Sequence, residues 1–244
     1  MYEISMTLKN RDVNRNRKLR TSRFMEIIQE CSIAHTTELG YGRERTLDKG
    51  LLWVIMQQHF DFFRIPEYDE QIRMSTWPGE MSHVLFPRFY RMTSETGETL
   101  AEGSMYWLLI NARTRNAIFP EEYGIHIGAE EVEKSPALPK VMKKWEPDAE
   151  ETFTVPFSWC DLNGHMNNTK YFDLLENIYP PAPDWEMRTA DAEYRSEAEF
   201  GGTYRLEKQY RKDEGQKTDS RRIELLDNGD RAKCRILVTG ETVV

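Results

Sequence analysis

The sequence predicts an α+β fold made of two copies of one unit, each an antiparallel sheet wrapped around a single buried helix. Three observations predict it. Phe24, Ile27, Ile28, Cys31, Ala34 and Leu39 recur close to the spacing of one helix face. Short alternating or apolar segments separated by turn signals follow, the pattern of strands. The whole scheme then recurs: Phe24-Met25-Glu26-Ile27-Ile28-Gln29 matches Tyr171-Phe172-Asp173-Leu174-Leu175-Glu176 at an offset of 147, and duplication is the simplest source of such a match.

Each element has its own warrant. Met1 to Lys9 reads as a strand, and the helix over 24–39 is stopped by Gly40. Strands are expected at Leu51 to Ile65, Gln71 to Trp77, His83 to Thr93 and Leu100 to Asn111, with breaks at Pro78-Gly79 and Glu95-Thr96-Gly97. From Phe119 to Glu151, Pro120, Pro136, Pro139 and Pro147 stand among charges and few large apolar residues, a linker with room for a short helix. A strand over Thr152 to Ser158 opens the second copy, and its helix carries Tyr171, Leu174, Leu175 and Ile178 before Pro180-Pro181. Strands follow at Arg188 to Tyr194, Thr203 to Lys212, Asp219 to Leu226 and Ala232 to Thr242, with hairpin turns at Asp213-Glu214-Gly215 and Asp227-Asn228-Gly229. The expected organisation is a first unit over 1–118, a linker over 119–151 and a second unit over 152–244.

Composition narrows the function classes. With 39% hydrophobic and 30% charged residues and no apolar run near the roughly 18 to 20 residues that span a bilayer, a membrane span is not expected. The N-terminus has neither a secretion signal nor a transit segment, so a cytoplasmic location is expected. A net charge of −8 argues against nucleic acid as partner. Cys31, Cys160 and Cys234 are too widely spaced for a disulfide framework, and the five histidines stand outside any metal-ligand spacing. Basic residues cluster early, at Arg11, Arg15, Arg17, Lys18, Arg20 and Arg23, and late, at Arg211, Lys212, Arg221 and Arg222.

The chemistry points to Asp161-Leu162-Asn163-Gly164-His165-Met166-Asn167-Asn168, just before the second helix. In an extended lead-in Asp161, Asn163 and His165 project to one side. Gly164 permits an unusual dihedral or a close approach, and Asn167 or Asn168 suits the N-cap. The free N–H groups of the first turn then face whatever fills the mouth, ready to polarise a carbonyl. The competing reading, that these are turn and cap residues only, holds for any one of them but less well for the run.

This run, Asp-x-Asn-x-His-x-Asn-Asn-x-Lys-Tyr over 161–171, together with Trp53-Val54, Thr76-Trp77 and Glu193-Tyr194-Arg195-Ser196-Glu197, resembles the acyl-acyl carrier protein thioesterases in their bacterial form. The resemblance covers nearly the whole chain. It implies a tandem double hotdog fold, an acyl chain held chiefly by the first copy, catalysis in the second, and hydrolysis of fatty acyl-acyl carrier protein to free fatty acid. The catalytic groups it implies are Asp161, Asn163, His165 and Glu197. No cofactor is implied, because phosphopantetheine arrives with the substrate. The first copy has Asn14, Asn16 and Lys18 at the offset of 147, so it lacks both acid and imidazole. Plant relatives carry a cysteine after the glutamate; here that residue is Ala198, and Cys160 reads as a packed small hydrophobe.

Met25, Ile28 and Ser32 on the first helix, with Trp107, are candidates for the acyl channel, although such a stripe is more often plain core. Carrier proteins are acidic, so Arg15, Arg17, Lys18 and Arg20 form one candidate docking patch and Arg211 with Lys212 another. His35 is expected at the edge of the first helix. An acyl-CoA thioesterase, a non-catalytic acyl-binding module and a dehydratase on the same scaffold are the alternatives. Whether Asp161 attacks the thioester or prepares a water stays open, as does the choice between monomer and homodimer.

Overall fold

A computed structural model describes residues 1–244 except Glu131, Glu133, Asp213, Glu214 and Val244. The hairpin expected at Asp213-Glu214 lies outside the described residues. The elements are β1 (Tyr2–Thr7), α1 (Thr21–Glu38), β2 (Leu51–Phe62), β3 (Gln71–Pro78), β4 (Leu85–Ser94), β5 (Thr99–Asn111), β6 (Ala149–Thr154), α2 (Lys170–Ile178), β7 (Trp185–Tyr194), β8 (Thr203–Lys212), β9 (Thr218–Leu226) and β10 (Ala232–Thr242).

The strands form one antiparallel sheet in the order β1-β3-β4-β5-β2-β7-β10-β9-β8-β6. The second five repeat the first five in reverse, so an approximate twofold axis passes between β2 and β7, where Gln57 faces Glu193 and Asp61 faces Thr189. Phe24, Ile27 and Ile28 of α1 and Tyr171, Phe172 and Leu175 of α2 are buried in one shared core with Phe60, Met105, Ala190 and Ile236. The result is the expected double hotdog, fused edge to edge.

The duplication survives in the coordinates. β1 and β6 occupy residues 147 apart, and so do the single 3-10 turns Asn10–Asp12 and Phe157–Trp159. The helices differ in length. α1 runs for 18 residues and ends as Gly40 takes φ +86, whereas α2 stops after 9, just before Pro180-Pro181. The N-cap of α1, Arg20, supplies no side-chain bond. Glu176 of α2 does that work, accepting the Thr21 N–H at 3.1 Å and its hydroxyl at 2.5 Å, so the second copy caps the helix of the first.

Several boundaries differ from expectation, among them the start of α1 at Thr21 rather than Phe24 and the end of β2 at Phe62 rather than Ile65. β6 opens at Ala149 and gives way at Pro156 to the Phe157–Trp159 turn, rather than running from Thr152 to Ser158. β4 begins at Leu85 because His83 adopts φ +55 inside the Ser82–Leu85 turn. β7 begins at Trp185, three residues before Arg188. Between β5 and β6 the linker holds one 3-10 turn, Pro120–Tyr123. Among the described residues no helix is long and apolar enough to cross a membrane.

The fusion carries a titratable clasp. His59 of β2 sits with Nδ1 2.7 Å from Asp191 Oδ1 of β7 and Nε2 3.4 Å from Asp61 Oδ2. The hydrogen bond to Asp191 raises the imidazole pKa above its ordinary value, against the opposing pull of burial. An unfolded histidine titrates near about 6.5, so the clasp's contribution is complete below that pH and is lost as pH rises through the raised folded value. Asp191→Asn is therefore expected to destabilise more at pH 6 than at pH 9 in urea unfolding; an equal penalty at both refutes the clasp.

Candidate active site

The segment before α2 is a tight turn. Cys160 and Met166 form a bridge, the Asp161 N–H donates to the His165 carbonyl at 2.9 Å, and the Gly164 N–H donates to the Asp161 carbonyl at 3.0 Å. Gly164 closes the turn at φ +82, and Asp161 Oδ1 accepts the Asn163 N–H at 2.8 Å. The expected extended lead-in, with Asp161, Asn163 and His165 on one side, is thus corrected. A glycine free to enter the left-handed region and an aspartate able to bond its own backbone together outcompete extension. Leu162 and Asn163 stand at the tip, Leu162 87% exposed.

The expected N-cap is also corrected. α2 begins at Lys170 with Thr169 at the N-cap, because a 3-10-like turn, Lys170 N–H to Asn167 carbonyl at 2.9 Å, precedes the α-helical bonds. Asn167 still does capping work, its Oδ1 accepting the Thr169 N–H at 2.9 Å and hydroxyl at 2.8 Å. Asn168 gives its carbonyl to the Tyr194 hydroxyl at 3.2 Å, and its own N–H has no acceptor among the described residues.

His165 meets Glu197 across a bridge to the β7–β8 loop, with Nδ1 3.4 Å from Glu197 Oε1. The pair is within ion-pair range but off hydrogen-bond alignment, so Nδ1 is buried with no hydrogen-bond partner among the described residues. Arg115, from the turn after β5 in the first copy, pairs with the same Glu197 oxygen. No side-chain contact joins the Asp161 carboxylate to either His165 or Glu197 among the described residues. The structure brings together His165 and Glu197, and places Asp161 and Asn163 in the adjoining turn.

The first copy contains the same turn without the chemistry. Val13 bridges Leu19, the Asn14 N–H donates to the Lys18 carbonyl at 2.8 Å, Asn14 Oδ1 accepts the Asn16 N–H at 2.9 Å, and Arg17 takes the left-handed position at φ +64. The Leu19 N–H to Pro66 carbonyl bond matches the Met166 N–H to Ala198 carbonyl bond. One residue before those carbonyls stand Ile65 and Glu197. Asp161, His165 and Glu197 are thereby replaced by Asn14, Lys18 and Ile65.

The tip of the second-copy turn opens into the first copy. Leu162 and Asn163 line a cavity of about 220 Å³ with Thr36 of α1, Trp53 of β2, Phe86 of β4 and Trp107 of β5. Its wall uses the end of α1, Ser32 to Thr37, the part with no counterpart in the shorter α2. Of the expected channel residues, Ser32 and Trp107 line the cavity. Met25 and Ile28 do not: both are fully buried in the core, on the face of α1 turned to the sheet.

Other expectations resolve as follows. Arg15 and Arg17 are exposed, but Lys18 is bound to Glu186 at 3.1 Å and Arg20 bonds the Arg11 carbonyl at 2.5 Å. Arg15 and Arg20 line a separate depression beside Trp159, Asp173 and Pro181, away from the cavity. Arg211 is paired with Asp148 at 2.5 Å, and Lys212 is exposed. His35 stands in the last turn of α1, near the helix end as expected, but its side chain is buried, with Arg88 bonding its Nδ1 at 2.9 Å. Cys160 packs against the core, and burial pushes the Cys31 thiol up to about 12. Ala198 is fully buried and offers only its carbonyl. Sequence reasoning missed Arg115, Arg88 and Leu162. For Leu162 the signal was present, an apolar residue at the tip of a polar turn.

With this geometry the comparisons with known proteins agree. The acyl-ACP thioesterase N-terminal domain family matches residues 1–124 and the acyl-ACP thioesterase C-terminal domain family residues 142–236. The chain belongs to the acyl-ACP thioesterase family. An acyl-[acyl-carrier-protein] hydrolase of Cuphea viscosissima is 23% identical over 81% of this chain and 52% of its own length. A palmitoyl-acyl carrier protein thioesterase of Gossypium hirsutum is 26% identical over the same shares, 81% and 52%. The chain spans about half the length of these curated relatives. Among solved structures, an acyl-ACP thioesterase from Bacteroides thetaiotaomicron superposes with TM-score 0.80 at 22% identity, covering 98% of this chain and 97% of that one. The 12:0-ACP thioesterase from Umbellularia californica gives TM-score 0.85 at 19% identity, covering 99% and 94%. These two likenesses establish the fold.

Asn14 holds its turn with an amide oxygen where Asp161 uses a carboxylate, so the turn does not need the charge. Asp161→Asn is expected to melt within about 2 °C of wild type, and Asp161→Ala to lose about 1 kcal/mol with the local acceptor. Melting followed by circular dichroism checks both. A large loss in Asp161→Asn would mean that the charge itself holds the turn.

Proposed function

We propose that this family member hydrolyses the thioester of a fatty acyl-acyl carrier protein, the first copy holding the acyl chain and the second supplying the chemistry. One observation carries this reading: acid, imidazole and glutamate occur only in the copy whose turn opens into the other's cavity. The chain enters beside Leu162 and Asn163, which puts the thioester at the turn. Glu197 fixes the His165 ring through Nδ1, a contact that tightens when substrate fills the site, and leaves Nε2 for the substrate. A water gives its proton to Nε2 and adds to the carbonyl carbon. The C–S bond then breaks, and the same proton passes to the leaving sulfur. The Asp161 carboxylate, four residues away in the same turn, stabilises the imidazolium that forms between these steps. The Asn163 amide and the unpaired Asn168 N–H are the donors for the oxyanion.

The test is thiol release from acyl-acyl carrier protein and acyl-CoA. His165→Ala is expected to lose about 10²- to 10⁴-fold in kcat, and Asp161→Asn on the order of 10²-fold while staying folded. The mirror change Asn14→Asp is expected to leave kcat unaltered. Activity of Asp161→Asn within a factor of a few of wild type sinks the role given to its charge.

The carrier docks at the cavity rim in this reading. Exposed Arg43 lines the cavity and shares its charge with exposed Asp48 at 3.0 Å, Arg45 stacks over Tyr41, and exposed Arg113 shares a turn with Arg115. Leu162, on the same cavity rim, is 87% exposed, and Phe200, next to the Gly164 carbonyl, packs on Phe157, the two being 57% and 78% exposed. Reversing Arg43 and Arg113 to Glu is expected to raise KM for the acidic carrier substrate and leave KM for a short acyl thiol ester unchanged. Reversing Arg15 and Arg17 is expected to change neither. If only the second pair matters, docking belongs to the other patch.

A further inference from the structure

The cavity wall contains a buried cation that a plain alkyl chain has no use for. Arg88 of β4 lines the cavity and is 5% exposed. Its Nη1 donates to His35 Nδ1 at 2.9 Å and Thr76 Oγ1 at 3.4 Å, and its Nη2 to Thr36 Oγ1 at 3.2 Å. Because Nδ1 accepts, the imidazole carries its proton on Nε2, which lies 3.3 Å from Glu130 Oε1. Burial, and then the charge of Arg88, lower the His35 pKa and keep it neutral. The guanidinium therefore bonds only neutral groups directly, and among the described residues the Glu130 carboxylate acts on it only at longer range, across His35.

A buried charge left in this state is unfavourable. A guanidinium has five N–H donors, and bonds to described residues occupy three of them. The surroundings are polar in the same place. Ser32 and Trp107, both cavity residues, converge on the buried Tyr90 hydroxyl at 2.7 and 3.1 Å. Elsewhere Ile33, Leu51, Leu52 and Phe86 give the wall the apolar surface that an alkyl chain requires.

We propose that the cavity selects acyl chains bearing an oxygen function, a hydroxyl, keto or carboxylate group, which Arg88 receives by hydrogen bonding. The proposal rests on the thioesterase reading for how the chain enters, but the binding itself does not require turnover. A purely structural Arg88 would tie the end of α1 to β3 and β4, where a cation also suits the helix C-terminus, and would be indifferent to the substrate.

The experiment compares carrier-bound chains of one length, unsubstituted, hydroxylated at successive carbons, or carboxylated at the terminal carbon, using the full chain. In wild type, kcat/KM for one oxygenated position is expected to exceed that of the plain chain by at least about tenfold. Arg88→Met is expected to abolish or invert that ratio, and Arg88→Lys to keep part of it. Binding of the matching free acids, measured by calorimetry, should show the same ranking. If Arg88→Met does not fold, the wild-type panel and Arg88→Lys decide. A plain chain preferred at every position, or a ratio unchanged in the Arg88 variants, overturns the proposal. Ranked binding without hydrolysis of any thioester would instead refute the thioesterase reading alone.

Discussion

The pairing of β2 with β7 is the constraint on which everything else depends. Ten strands share one sheet only because Gln57 to Asp61 face Glu193 to Thr189 in antiparallel register, and that register sets the approximate twofold between the copies. An antiparallel junction sends each copy's turn toward its partner's helix. Asn16 reaches the Pro181 carbonyl at 3.0 Å, and Lys18 reaches Glu186. In the opposite sense, Leu162 and Asn163 reach the cavity beside Ser32 and Thr36. The site is shared between the copies because the sheet is.

Within that frame, the two turns separate what the fold needs from what chemistry needs. Asn14 and Asp161 make the same bond to the backbone two residues on, and Arg17 and Gly164 take the same left-handed position. An arginine held there carries a conformational penalty that glycine avoids. The fold tolerates it in the first copy, where the tip packs against Pro181. At Gly164, between Asp161 and His165 in the turn, the side chain is absent and the approach stays open. Identical backbones with different side chains make the duplicate an internal control for the role of charge.

Much of this was legible in the sequence. Helical spacing located α1 and α2, and alternation located the strands, because burial on one face writes a period into the chain. The 147-residue match disclosed the duplication, and the same offset exposed the missing acid and imidazole in the first copy. The local shape of the site was not legible. Period-two reasoning put Asp161, Asn163 and His165 on one side, and Gly164 defeated it by reversing the chain. Thr169 rather than an asparagine begins α2 for a similar reason, since a 3-10 turn shifts the cap without changing composition. Arg115 and Arg88 lie in the first copy and carry no local mark. The pairing of Arg115 with Glu197 exists only once β2 and β7 have joined, and the place of Arg88 in the cavity wall only once α1 has packed on β3 and β4.

Helix length completes the division of labour. Pro180-Pro181 halts α2 after Ile178, so the second copy has nothing like the Ser32–Thr37 wall. The first-copy turn faces a depression lined by Asp173, Glu176, Asn177 and the two prolines, and Lys18 beside it is bound to Glu186. At one end of the twofold a long helix leaves an apolar cavity facing a turn with acid and imidazole. At the other, a short helix leaves a polar depression facing a turn with neither. The two ends of the sheet thus differ in two independent respects, the hollow that the turn faces and the charge that the turn carries.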